Sequence, residues 1–136
     1  MPKHRRGSRS APRRPIGAHV PFERLVDRAL AGIPEPFRSA LGEVAIVIDD
    51  EPSPEQRRDN DLPEGEMLYG LYEGVPRTEY AADWAAVPNR ITLFRLPLEE
   101  DFAHPEDLAE EVRITVIHEL AHHLGIDDDR LDELGV

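Results

Sequence analysis

The chain has 136 residues, a formal net charge of −12 and no cysteine, which excludes both a disulfide framework and a thiolate metal site. Aromatics make up only 6% and charged residues 32%, so one modest core must be built from Leu, Val, Ile and Ala. No apolar run is long enough to span a bilayer, and the basic N-terminus lacks the apolar stretch of a secretion signal; a cytoplasmic protein with no membrane partner is expected.

The charge is unevenly placed. Residues 1–19 carry Lys3, Arg5, Arg6, Arg9, Arg13 and Arg14 and no acid, which leaves 10 basic residues against all 28 acids, a net charge of −18, in the rest. The first 19 residues mix Pro, Ser, Gly and Arg without hydrophobic periodicity and read as a disordered basic arm, followed by a single domain over 20–136. So acidic a body repels nucleic acid, and no such partner is expected beyond weak contact through the arm. The arm of one chain meeting the acidic face of another would be a route to a homo-oligomer, although such charge runs more often only solubilise.

Phe22, Leu25, Val26, Ala29, Leu30 and Ile33 recur at helical spacing from Pro21, and Gly32 and Pro34 close that helix. Glu35 to Leu41 adds a short helical turn. Val44-Ala45-Ile46-Val47-Ile48 is a continuous, mostly β-branched run, expected to be a strand covered on both faces. Residues 51–66, rich in Pro, Asp, Glu and Arg, read as a long polar loop. Met67 to Tyr72 forms a second strand, with a turn at Glu73-Gly74-Val75-Pro76. Residues 77–89 are irregular and hold Trp84. Arg90 to Arg95 alternates as a third strand that Pro97 stops.

Pro105-Glu106-Asp107 then opens a helix of about 20 residues, its acids placed where the macrodipole favours them. Val112, Val116, Ile117, Leu120, Ala121 and Leu124 cover one broad arc at about 100° per residue. Glu111, Thr115, His118, Glu119 and His122 gather on the other arc. Arg113 is a misfit within the apolar arc, to be resolved by snorkelling or by a buried acid. His123 lies at the border and points away from the histidine pair.

His118-Glu119-Leu120-Ala121-His122 is an H-E-x-x-H sequence, extended by Gly125 and Asp128. Two histidines four apart on a helix share a face and reach one metal ion, and the glutamate between them is placed to take a proton from the attacking water. Without cysteine, any zinc here must be held by nitrogen and oxygen ligands. Gly125 can adopt the left-handed conformation that ends a helix and reverses the chain, which brings Asp128 back as third ligand. Asp127 and Asp129 compete for that place, Glu133 ranks below Asp128, and the cluster before Arg130 also looks like a helix cap. In the bland alternative, both histidines are exposed polar residues and Gly125 is only a cap. Tyr69, Tyr72, Tyr80 and His104 are weaker candidates for stabilising an oxyanion, since each is more often packing or surface.

With these residues in place, the chain resembles zincin metallopeptidases, and more narrowly the small bacterial zincin-like proteins grouped as a metallopeptidase family of unknown function. The resemblance covers residues 21–136. It rests on Phe22-Glu23-Arg24-Leu25-Val26, Leu71-Tyr72-Glu73-Gly74-Val75-Pro76, Arg90-Ile91-Thr92-Leu93-Phe94 and above all residues 115–126. It implies an α+β minimal zincin fold, with a small mixed sheet packed against the H-E-x-x-H helix and an N-terminal helix. It also implies zinc held by His118, His122 and Asp128, with Glu119 as general base in peptide hydrolysis. Two departures stand out. Met1 and Met67 both lie upstream, so the methionine turn of metzincins is missing, and only eight residues follow Asp128, fewer than a second cleft wall needs. A one-walled cleft suits a catalytically weak or inactive interaction module as the alternative to a peptidase that takes a peptide along a sheet-edge strand such as 67–72 or 90–95.

Overall fold

A computed structural model describes residues 20–74 and 89–135. The expected basic arm, the end of the turn after Gly74, and the stretch holding Tyr80 and Trp84 lie outside the described residues. Helix α1 (Phe22–Ala31) buries Phe22, Leu25, Val26 and Ala29, the stripe read from its spacing, and ends at Gly32. Helix α2 (Phe37–Ala40) runs into a 3-10 turn at Leu41–Glu43. Strand β1 (Ala45–Asp49) follows.

A helix stands where the composition suggests a long polar loop. Helix α3 (Pro54–Asp59) starts on a capping box in which the Ser53 hydroxyl accepts from Gln56 N–H while the Gln56 side chain accepts from Ser53 N–H. Pro54 occupies the first helical position, where its missing N–H costs nothing. Arg57 donates to the carbonyls of Pro63 and Glu66, folding 60–66 back onto the helix, and Leu62 is buried with Leu68, Leu71 and Phe94. The Ser-Pro-Glu-Gln signature is present in the sequence, but the density of Pro and charge around it masks it.

Strand β2 (Gly70–Glu73) is shorter than the run 67–72. Strand β3 (Arg90–Phe94) is central: the sheet order is β1-β3-β2, with β1 parallel to β3 and β2 antiparallel to it. The registers place Ala45 opposite Arg90 and Tyr72 opposite Ile91. Two expectations fall here. β1 is not covered on both faces; Val44, Ile46 and Ile48 pack against the core, all residues of β1 keep some exposure, and its outer edge has no partner strand among the described residues. Residues 90–95 do not form an edge, since both sides of β3 are paired.

Pro97 does not end a loop-bound strand. It sits in the first turn of helix α4 (Arg95–Asp101), where no intrahelical N–H is needed. Arg95 bridges this helix to the end of β1, its guanidinium 2.7 Å from Asp50 and 2.8 Å from Glu99. The hydrogen bond with Asp50 raises the Arg95 pKa above its already high ordinary value, so the guanidinium stays charged at any working pH.

Helix α5 (Pro105–Leu124) carries the histidines, and helix α6 (Asp128–Leu134) follows it. α5 packs against α1, α2, α4 and both β2 and β3, so it is the centre of the structure rather than a surface helix with one wet face. Arg113 resolves its misfit by turning along the α1 end and pairing with Glu110, an exposed acid and not a buried one. The result is an α+β fold, a small mixed sheet against the long helix. Among the described residues, no helix is long and apolar enough to cross a membrane.

Candidate functional site

The position of the histidines begins with how α5 starts and stops. Pro105 holds the first helical position and Glu106 and Asp107 lie in the first turn. At the other end Gly125 is left-handed, φ 73° and ψ 25°. Its N–H donates to His122 O at 3.2 Å and Ile126 N–H to Ala121 O at 2.8 Å, the paired bonds of a Schellman ending. The reversal read from Gly125 is thus present.

One face of α5 lies under the edge strand. A Cβ placed on Gly70 would come within 2.6 Å of Thr115 Cγ2, so the helix approaches β2 through the space a side chain would fill. Phe94 N–H donates to Tyr69 O, and pairs alternate along an antiparallel ladder, so Gly70 and Tyr72 turn their main-chain groups away from β3. The outward N–H of Tyr72 meets Glu119, donating to Oε1 at 2.8 Å. Glu119 is fully buried. Removing a carboxylate from water is expensive, and a charge-assisted bond from a main-chain N–H recovers about 1.5–3 kcal/mol of that cost.

His122 stands beside it, 9% exposed, its Nδ1 3.3 Å from Glu119 Oε1. The distance suggests a bond, but the angles do not make one, and Nδ1 is left buried without a partner, as is Thr115 Oγ1. His118, half-buried, lies one turn earlier on the same face. The bland alternative of two exposed polar histidines does not hold for His122: Thr115, Glu119 and His122 are all buried, because β2 lies over them.

The three aspartates divide. Asp127 is the N-cap of α6, its carboxylate accepting from Arg130 N–H at 2.9 Å, so it has a structural task. Asp128 and Asp129 are exposed in the first turn of α6. Among the described residues no group of three or more His, Asp or Glu comes together as a metal cage. The histidine pair suits zinc in donor chemistry and in the unpartnered Nδ1 of His122, whereas Asp128 is exposed and no group of three ligands forms among the described residues.

The candidate oxyanion residues take other roles. The Tyr69 hydroxyl donates to the buried carboxylate of Asp101 at 2.6 Å, and its ring meets Phe102 edge-on. His104 is the exposed N-cap of α5 and makes no side-chain cap. Tyr72 bonds through its hydroxyl to Asn89 Oδ1 at 3.1 Å and lies 3.2 Å from His123 Nδ1. His123 is fully buried, and its Nε2 lies 2.6 Å from Glu43 Oε1. Sequence reasoning misses the Tyr72 N–H and Glu43. A main-chain group carries no residue signature, and Glu43 lies 80 positions from its partner.

A helix bearing H-E-x-x-H beneath the antiparallel edge of a small mixed sheet defines a zincin-like metallopeptidase. The pattern of the zincin-like metallopeptidase family matches residues 41–136, and the chain belongs to that family. It is also similar to the solved structure of a conserved hypothetical protein from Thermus thermophilus, at 27% identity over 84% of this chain and 94% of that one, with a TM-score of 0.47. No curated protein matches the chain.

Proposed function

We propose that the protein is a zinc-dependent metallopeptidase with Glu119 as general base and with His118, His122 and Asp128 as metal ligands. Zinc, when bound, supplies polarisation of the scissile carbonyl and acidifies the water that attacks it. Glu119 takes the proton from that water and returns it to the leaving amine. The observation that carries the reading is the placement of the Glu119 carboxylate, buried beside His122 and aimed by the Tyr72 N–H of the edge strand. An extended peptide would lie along β2, which of the two suggested strands is the one at an edge of the sheet.

Elemental analysis of zinc in wild type, His118→Ala and Asp128→Ala tests the ligand set. One zinc per chain in wild type, lost in both variants, is expected. Cleavage of a diverse peptide library by the zinc-loaded protein, abolished by Glu119→Gln, tests the chemistry; no cleavage with no effect of the variant would sink it. A second reading, an interaction module with a vestigial site, draws its support from the exposure of Asp128 away from any three-ligand cluster among the described residues. Failure to take up zinc from excess metal would favour it.

A further inference from the structure

Tyr72 is held at both ends. Its main-chain N–H donates to Glu119, and its hydroxyl sits between His123 and Asn89. His123 is in turn anchored through Nε2 on Glu43, at the end of the 3-10 turn. Asn89 is pinned from two sides, its carbonyl accepting from Ala45 N–H at 3.0 Å and its side chain filling the space where a Cβ on Gly74 would be. The chain of contacts thus joins the entrance to β1, the last turn of α5 and both strands of the antiparallel pair, and it converges on one residue of the edge.

These side chains are engaged with one another, so their effect is geometric. The ladder to β3 holds one side of this four-residue strand, and among the described residues the main-chain groups on its other side are fixed only by the side chains packed around them. The hydrogen bond from its outward N–H can orient a carboxylate only if the strand itself is fixed. Burial of His123 and Tyr72 makes the anchor stiff, because each polar atom has to keep its partner.

We infer that Glu43, His123 and Tyr72 are positioning residues that lock the β2 edge and thereby orient the Glu119 carboxylate; the inference rests on the peptidase reading above. Tyr72→Phe removes the hydroxyl and keeps the N–H. Glu43→Ala removes the anchor of His123 at an exposed position, and Glu43→Gln keeps an acceptor there.

Two readouts test it on the full chain. The first needs no turnover: residue-resolved amide hydrogen exchange by NMR, comparing position 72 with Leu71 and Thr92, which are bonded within the sheet. Exchange at position 72 should rise by about tenfold or more in Tyr72→Phe and Glu43→Ala while the other two amides hold, a local and not a global opening. The second is peptidase kinetics with zinc supplied. The turnover number should fall about tenfold with KM changed by less than about twofold, since a misplaced base affects the transition state and not the docking of substrate. Glu43→Gln should restore most of both.

Unchanged exchange at position 72 in both variants would overturn the inference, as would a loss that Leu71 and Thr92 share equally. A wild type that cleaves nothing, with the selective exchange effect present, would instead remove the peptidase reading and leave the lock on the edge strand standing.

Discussion

At the scale of single residues, Glu119 and Gly70 answer different questions. Glu119→Gln keeps an oxygen for the Tyr72 N–H and loses only the ability to take a proton. Its expected result is a fall in peptidase turnover of at least about 100-fold with zinc content and thermal midpoint unchanged, read by kinetics beside elemental analysis. Gly70 acts by having no side chain. Gly70→Ala drives a methyl into Thr115 Cγ2, and the strained packing should destabilise the fold by about 1–3 kcal/mol in urea titration. Thr115→Ser removes that methyl and should recover much of the loss in the double variant. An equal loss in the single and double variants would show that the clash is not what limits this position.

At the scale of elements, what is legible in the sequence depends on whether the signal is local. α1 and α5 can be read within a residue or two, because apolar spacing, Pro105 and Gly125 are all local in sequence. α3 has a local signal in Ser53 and Gln56, hidden by the polar composition around it. Ser53→Ala should therefore lower stability by about 1 kcal/mol, measurable as a shift in urea midpoint, if the cap is as active as its two hydrogen bonds indicate. α6 shows itself in the sequence only as a cap, and Asp127 does cap it. Gly125→Ala places a Cβ in the left-handed region and should cost about 1 kcal/mol by the same assay. Since the turn at Gly125 sets where Asp128 falls, zinc affinity should weaken in that variant by more than stability does. Equal affinity in Gly125→Ala and wild type would count against Asp128 as a ligand.

For the whole molecule, the α+β class and the pairing of a small mixed sheet with the long helix are readable in advance, but strand order is not. The run Val44–Ile48 resembles a doubly covered strand because Val and Ile occupy every position but one, yet only alternate residues meet the core. Residues 90–95 alternate, which suggests one wet face, and in fact form the middle strand with Ile91 to Phe94 all buried. Burial there is decided by which strands lie on either side, and those partners are far apart in the chain, as the pairing of Ala45 with Arg90 shows. The buried nature of the Glu119 face has the same cause. Polar residues at helical spacing predict a wet face only when nothing else, here β2, is laid across them.

The outer edge of β1 has a consequence for behaviour at high concentration. Its five residues of extended chain offer main-chain donors and acceptors with no strand among the described residues to take them, on a stretch rich in Ile and Val. Such an edge is a template for fibre growth, and two features restrain it: its brevity, and the acids Asp49, Asp50 and Glu51 at its exit. Asp50 is already engaged with Arg95, which leaves Asp49 and Glu51 as the gatekeepers. Replacing both with neutral residues, Asp49→Asn with Glu51→Gln, should leave the unfolding free energy within about 0.5 kcal/mol of wild type. It should at the same time shorten the lag of thioflavin-positive aggregation, so the solubility of this protein would depend on two carboxylates that do nothing for its fold.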